Sequence, residues 1–160
     1  MTVLNYSYVV NFSRQKIWRL VAGFFHGRRY WDWIEKVEPL GSNPPQRGSM
    51  WRFHVITSAK PASVEVEITE WLEGERLALA PLGHSGCFED IQFFQIVVDL
   101  EEKSADQTRI KICFEYEPVS KWAKLKNLAF RRQGYLRLIA QSIDVLSRVA
   151  KAEAELEAPH

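Results

Sequence analysis

The final segment of the chain has the spacing of one long helix. No proline occurs between Val119 and Pro159, and the apolar residues of this segment step by threes and fours. They are Leu125, Leu128, Leu136, Ile139, Ile143, Leu146 and Ala150. Residues at this spacing fall on one helix face, which must pack against another apolar surface. The face is interrupted at Arg132, and Gly134 lies within the same stretch.

The preceding sequence alternates apolar and polar residues, the period of strands with one buried face. Seven strands are predicted, at residues 3–12, 33–40, 50–57, 63–71, 76–82, 90–100 and 108–118. A short helix begins after Ser13, a preferred N-cap residue, and ends near Gly23 or Gly27. The GSNPPQRGS segment joins the second and third strands as a hairpin. The last strand ends at Pro118, which has no N–H for the ladder.

Composition places the chain among globular single domains. It has 160 residues, of which 46% are hydrophobic, and its 21 basic and 20 acidic residues give a net charge of +1. This balance gives no reason to expect a nucleic-acid partner. We predict one domain over residues 1–152 and a frayed acidic tail over residues 153–160.

The sequence shows neither a secretory signal nor an apolar run long enough to span a membrane, which predicts a cytoplasmic protein. The spacing of Cys87 and Cys113 fits no metal or redox motif, so both are expected to be free thiols.

Four segments carry a resemblance to a known superfamily. FSRQKIWRLVAGF is similar to the exit from the first strand and the first helix of the polyketide cyclase and START-like superfamily, also described as SRPBCC or Bet v 1-like. YWDWIEKVEPL with RGSMWRF resembles its second and third strands, and EITEWLEGERLAL its fourth-to-fifth strand hairpin. With TRIKICFEYEP, the resemblance extends over nearly the whole chain.

The resemblance implies an α+β helix-grip fold. In this fold a curved seven-stranded antiparallel sheet wraps around the long C-terminal helix, and short helices follow the first strand. It also implies a cavity between sheet and helix that holds a small hydrophobic or amphipathic ligand, such as a lipid, a quinone or a polyketide. Some members of the superfamily catalyse a reaction in this cavity and others only bind. The sequence does not name the ligand or indicate an oligomeric state.

Strand alternation selects residues for the concave face. Those predicted to face inward are Trp51, Phe53, Phe94, Phe114 and Tyr116, with Arg132 and Tyr135 approaching from the helix. They line either a ligand pocket or a filled core, because aromatic side chains dominate ordinary cores as well. The segment from Phe24 to Trp33 holds five aromatic rings around a glycine and is interpreted as a lid or a corner.

Arg132 interrupts an apolar face and keeps its charge, so a buried position would require a partner. Asp90 and Gln92 share the strand parity of Phe94 and are candidate partners, as is the acidic end of a ligand. Alternatively, Arg132 extends to solvent. If the protein is an enzyme, we expect a cyclase or dehydratase in which Asp90 or Tyr116 moves a proton and Arg132 stabilises an enolate.

The four histidines do not form a metal motif. His26, His54, His84 and His160 have no pair spacing typical of ligands, so no metal site is predicted. His54 is assigned to the convex face, and His26 to the aromatic corner. No nucleotide or phosphate fingerprint is present, and no cofactor is predicted; residues 83–86 are interpreted as a turn.

The start of the C-terminal helix is basic and amphipathic. Between Lys121 and Arg137 the chain carries six basic residues and no acidic one, interleaved with Trp122, Leu125, Phe130 and Tyr135. Such a segment either forms a solvated face or touches anionic lipid transiently. The second possibility would make the protein a lipid or quinone carrier that visits membranes.

Overall fold

The computed structural model describes residues 1–26, 34–56, 62–83, 86–88 and 90–158. In this part of the chain seven strands form one antiparallel sheet in the order β1-β8-β7-β5-β4-β3-β2, and a two-residue strand, β6, pairs with β7. The strands are β1 Thr2–Val10, β2 Ile34–Pro39, β3 Met50–Val55, β4 Ala62–Leu72, β5 Arg76–Pro81, β6 Cys87–Phe88, β7 Ile91–Ser104 and β8 Gln107–Pro118. The predicted helix-grip fold, with its curved sheet and long C-terminal helix, is confirmed.

The first helix, α1, spans Arg14–Gly23. The Ser13 hydroxyl accepts a hydrogen bond from the Lys16 amide at 3.2 Å, which satisfies one of the free N–H groups of the first turn. A 3-10 turn over Phe24–His26 follows, and both of its phenylalanines are buried. The predicted cap and the predicted end near Gly23 are therefore confirmed, whereas Gly27 lies outside the described residues.

Alternation along the strands orients the core. On β4, Val64, Val66 and Ile68 are buried and their neighbours are not. On β3, Trp51 and Phe53 are buried while Arg52 and His54 point to the other face, as predicted. The inward residues join one hydrophobic core with buried residues of α1 and the C-terminal helix.

The C-terminal helical run is not uniform. It consists of α2 over Lys121–Lys126, a π-helical segment over Asn127–Arg131, and α3 over Arg132–Glu157. The helix begins after Ser120, whose hydroxyl accepts from the Ala123 amide at 3.0 Å. The π segment corrects the expectation of one regular helix, and it ends directly before Arg132, where the apolar face is interrupted in the sequence.

The end of α3 differs from the predicted frayed tail. The helix continues through residues 153–157, and Lys16 Nζ lies 3.7 Å from Glu157 Oε2. Of the described residues of the predicted tail, Ala158 lies beyond the helix.

A second irregularity lies in β7. The pairing register with β8 shifts between Phe93 and Gln95, so that Phe93 is opposite Tyr116 and Gln95 is opposite Glu115. Phe94 is the extra residue of this bulge. Because side chains alternate with a period of two, an extra residue reverses the parity counted across it.

Candidate ligand-binding site

The predicted pocket residues divide between two aromatic groups. Trp51 and Phe53 pack against Phe25, with ring centroids 5.1 Å and 6.3 Å away. We call the group the tryptophan cluster and define it as Trp18, Phe24, Phe25, Trp51, Phe53 and Trp71. It joins α1 and the 3-10 turn to β3 and β4. Residues 27–33 of the predicted aromatic corner lie outside the described residues.

The second group contains three of the other predicted rings, those of Phe114, Tyr116 and Tyr135. Phe114 stacks on Tyr116 at 5.1 Å, and Tyr135 meets both rings edge-on at 5.6 Å and 5.1 Å. Phe93 completes the group with a centroid 5.9 Å from Phe114. We call these four residues the tyrosine cluster. It joins β7 and β8 to the start of α3.

Phe93 occupies the position that strand parity assigned to Phe94. Phe93 is 3% exposed and faces Tyr116 across the ladder, whereas Phe94 is half-buried at the bulge. The prediction for Phe94 is therefore corrected. A β-bulge is set by pairing between two strands, so the alternation within one strand did not reveal it.

Tyr116 links the cluster to polar groups. Its hydroxyl donates to Asn127 Oδ1, and Asn127 Nδ2 donates to Thr2 Oγ1 at 3.2 Å. Burial raises the pKa of the Tyr116 phenol, and the nearby charges of Arg132 and Arg131 oppose this rise. The phenol is thus held neutral. The sequence reasoning missed Asn127 and Thr2, because neither has a periodic signal.

The structure assigns the inner arginine position to Arg131. Arg132 is exposed, which is the solvent-directed alternative. The side chain of Arg131 is only 19% exposed and its Nη2 lies 3.3 Å from Asp90 Oδ2. Its Nη1 is buried with no hydrogen-bond partner among the described residues. The π segment ends at Arg131, and its wider turn changes which residue faces inward.

Asp90 and Gln92 do not face the tyrosine cluster, which corrects the expectation that they would. Asp90 is exposed in a turn with φ of 64°. Gln92 pairs with Glu117, on the other face from Phe93 and Tyr116. It accepts from Cys87 Sγ at 2.8 Å, donates to the Phe93 carbonyl at 3.0 Å, and lines a surface pocket of about 420 Å³. Parity was counted from Phe94, and the bulge reversed it.

Apolar surface remains accessible on the inner face of the sheet. Ile96 pairs with Phe114, and Val98 pairs with Ile112, so these residues point toward the core. Ile96, Val98 and Ile112 are nevertheless only half-buried. Inward residues beyond them along the same strands, Leu100 and Ile110, are fully buried. The centre of the sheet is therefore covered less completely than the part near Leu100 and Ile110.

The apolar residues of α3 also differ in burial along the helix. Ile143, Leu146 and Ala150, from the middle of α3 onward, are buried against the core. Leu136 and Ile139, in the first half, are half-buried members of the same apolar face. Incomplete cover on both surfaces marks the space between the sheet centre and the first half of α3 as the candidate site.

The remaining predicted groups lie away from this space or outside the description. His54 is on the convex face, with Nε2 3.3 Å from Glu38 Oε2, and His26 is exposed. His84 and His160 lie outside the described residues. Within the described ranges, no three or more His, Cys, Asp or Glu residues are grouped as metal ligands would be. Cys87 and Cys113 are free thiols, as expected.

Several solved structures have a fold similar to that of this chain at low sequence identity. A protein from Thermus thermophilus superposes with a TM-score of 0.72 at 13% identity, covering 95% of this chain and 99% of that chain. The di-domain ARO/CYC BexL from the BE-7585A biosynthetic pathway gives 0.70 at 13%, covering 92% of this chain and 46% of its own. This chain has the helix-grip fold that these solved structures share.

Norcoclaurine synthase from Thalictrum flavum, solved with dopamine and hydroxybenzaldehyde, shares the helix-grip fold with a TM-score of 0.68 at 13% identity. The alignment covers 99% of this chain and 88% of the synthase. No protein-family model matches the sequence, and no curated protein matches it. These similarities establish the fold, and a shared fold does not by itself determine function. None of the helices in the described ranges has the length and hydrophobicity to cross a bilayer.

Proposed function

We propose that the protein binds a small hydrophobic or amphipathic molecule between the inner face of the sheet and the first half of α3. The observation that carries the proposal is the accessible apolar surface of Ile96, Val98 and Ile112, which lie on the inner face of the sheet. A ligand there gains about 25 cal/mol for each square ångström of apolar surface removed from water. The helix-grip synthase solved with two small aromatic compounds supports the same use of the fold.

The polar boundary of this space favours an amphipathic ligand. The tyrosine cluster borders it with mostly aromatic surface, and Arg131 and the Tyr116–Asn127 pair supply the polar groups. A ligand with a ring or chain and one oxygen-bearing end would match this division. The class includes lipids, quinones and polyketide-like molecules.

Cavity filling tests the proposal directly. Ile112→Trp places a larger ring on the inner face, and Lys111→Trp places the same ring on the outer, exposed face of β8. Titration with the fluorescent amphiphile 1-anilinonaphthalene-8-sulfonate should give at least about tenfold weaker binding for Ile112→Trp, since each 1.4 kcal/mol is tenfold. Lys111→Trp should bind as the unmodified protein does. Equal binding by all three folded proteins would contradict the proposal.

Native mass spectrometry of freshly purified protein, followed by extraction, would identify a retained ligand. We expect a mass increment that disappears on extraction and is absent in Ile112→Trp. The cytoplasmic location predicted from the sequence can be checked separately, by fractionation of cells that contain the protein.

A second candidate is a cyclase or dehydratase. It is supported by the buried, neutral phenol of Tyr116, which lies within the field of Arg131 and Arg132 and is a potential proton donor. The ARO/CYC proteins of similar fold make polyketide-like substrates the first to test. Conversion of such a substrate, lost in Tyr116→Phe and retained in Asp90→Asn, would favour this candidate. Binding and release without chemical change would favour the binding protein.

A further inference from the structure

The first part of the C-terminal helical run exposes four large apolar side chains. Trp122, Leu125, Leu128 and Phe130 are 65%, 55%, 85% and 76% exposed. The first three are spaced by three residues, whereas Ala123, buried, and Asn127, half-buried, mark the side that packs on the protein. We call these four exposed residues the docking face. An exposed apolar face of this kind is typical of an interaction site in a folded protein.

Basic residues surround the docking face. Lys121, Lys124, Arg132 and Arg137 are exposed, and no acidic residue lies between positions 119 and 137. Within the described ranges none of these four forms an ion pair with a carboxylate; Arg131, by contrast, is paired with Asp90. Lys126 lies over the Trp122 ring at 5.7 Å. The positive charge of this segment is therefore available to an external anionic partner.

We propose that the docking face binds the surface of an anionic lipid bilayer. Apolar side chains that include Trp and Phe, with lysines and arginines beside them, match the acyl boundary and the anionic headgroups of such a surface. Charge attraction brings the segment to the membrane, and partial insertion of the apolar side chains holds it there. The contact is reversible, because neither α2 nor the π segment spans the bilayer.

Charge argues against the other occupants of this face. A second copy of the chain would bring Lys121, Lys124 and their neighbours against the same residues of the first copy, and like charges repel at an interface. A nucleic acid would satisfy the lysines but leave Leu125 and Leu128 against a polar backbone. A bilayer with anionic headgroups accepts both kinds of side chain.

The docking face adjoins the tyrosine cluster. The π segment that carries Leu128 and Phe130 also carries Asn127, which bonds to Tyr116 and Thr2. A protein docked in this way presents the candidate site next to the membrane. This arrangement suits a carrier of lipids or quinones, but the docking itself requires no ligand.

Vesicle sedimentation tests the proposal with the full chain. The probes are vesicles of phosphatidylcholine alone and of phosphatidylcholine with phosphatidylserine, each at low and high salt. We expect binding to the anionic vesicles that falls as salt rises, and little binding to the neutral ones. Lys121→Gln combined with Lys124→Gln should weaken this binding by about 25-fold, from about fivefold for each basic residue.

Apolar variants separate insertion from simple charge attraction. Leu128→Ser with Phe130→Ser should weaken vesicle binding by about tenfold. Leu156→Ser is the matched control, because Leu156 is 84% exposed but lies outside the docking face. It should bind as the unmodified protein does. Circular dichroism establishes that each variant is folded.

Several results would overturn the proposal. These are absence of binding to anionic vesicles, or binding that the Leu128→Ser, Phe130→Ser protein retains in full. Loss of a dimer in that variant by light scattering, without vesicle binding, would assign the face to a second copy. Binding of a single-stranded oligonucleotide, without vesicle binding, would assign it to nucleic acid. The vesicles carry no added ligand, so failure here leaves the result for Ile112→Trp unaffected.

Discussion

The two aromatic clusters have similar ring contacts but different surroundings. In the tryptophan cluster the indole N–H groups are satisfied locally: Glu73 accepts from Trp18 at 2.9 Å and from Trp71 at 3.0 Å, and Ser49 accepts from Trp51 at 3.0 Å. In the tyrosine cluster, Tyr116 bonds to an asparagine in a π segment, and Phe93 lies at a bulge. Both clusters adjoin irregular backbone: the tryptophan cluster includes the 3-10 turn and follows a register shift in β4, and the tyrosine cluster adjoins the π segment and the β7 bulge. What differs is the cover, because Val64 and Val66 beside the tryptophan cluster are buried, whereas Ile96 and Leu136 beside the tyrosine cluster are half-buried.

This difference separates a core from a candidate site. Satisfied indole N–H groups and buried neighbours allow the tryptophan cluster to close around itself, as an ordinary core does. A π segment and a bulge interrupt the regular hydrogen-bond pattern of a helix and a strand, and both are frequent near functional sites. The half-buried residues Leu136 and Ile139 follow the irregular segment in the helix. We therefore expect substitutions in the first cluster to affect stability most and those in the second to affect binding most.

The largest effect is expected for Phe25→Ala. Phe25 is buried and contacts Phe24, Trp51, Phe53 and Trp71, so its removal leaves a cavity among rings. Chemical denaturation should show a loss of about 3–5 kcal/mol in the free energy of unfolding.

Tyr135→Ala provides the matched comparison in the tyrosine cluster. Tyr135 is only half-buried, so its loss should cost about 1–2 kcal/mol. If Phe25→Ala and Tyr135→Ala lowered the free energy of unfolding equally, the distinction between a core cluster and a site cluster would be wrong.

A smaller but still substantial effect is expected for Gly86→Ala, beside the bulge. A Cβ at Gly86 would lie 2.7 Å from the Phe93 carbonyl oxygen and 2.8 Å from Pro81 Cβ. Because a backbone atom cannot easily move aside, we expect a loss of about 1–3 kcal/mol, measured by thermal or chemical unfolding. Gly41→Ala meets nothing within 4 Å and should be close to neutral. A neutral Gly86→Ala would show that the bulge yields readily.

Tyr116→Phe tests the polar link of the tyrosine cluster. The variant leaves Asn127 Oδ1 without its donor, at a cost of about 1–2 kcal/mol near neutral pH. The raised pKa adds a pH dependence. Above pH about 10 the unfolded chain releases the phenolic proton while the folded protein keeps it, so stability falls as pH rises toward the folded pKa.

Tyr116→Phe should therefore lose less stability than the unmodified protein between pH 9 and 11, values that bracket the usual tyrosine pKa of about 10. Urea titrations at several pH values would measure this. Tyr8→Phe is the control, because Tyr8 is exposed, and it should retain the full pH dependence. Identical pH profiles for all three proteins would contradict the burial of a neutral phenol.

The smallest effect, and a favourable one, is expected for Gly134→Ala. Gly134 lies in α3 with open space around its Cα, so alanine should stabilise the helix by about 1 kcal/mol. Thermal unfolding would measure the gain. If Gly134→Ala instead weakens ligand binding without a loss of stability, the start of α3 needs its flexibility for that role.

Local patterns determined the elements of this protein. Alternation in β3 and β4, the Ser13 cap and the end of the last strand at Pro118 were all predicted from the sequence, because each depends on residues close together in the chain. The resemblance to a known superfamily predicted that these elements form a helix-grip fold. The sequence predicted one long C-terminal helix and did not reveal the π segment over Asn127–Arg131 within it.

Tertiary structure decided which side chains reach the candidate site. The bulge placed Phe93 rather than Phe94 beside Phe114, and the π segment placed Arg131 rather than Arg132 toward Asp90. A periodic pattern assigns faces only while its period is constant, and one extra residue moves every later side chain to a new direction. Whether that residue is accommodated depends on packing against another strand or helix. The sequence of one segment does not contain that information.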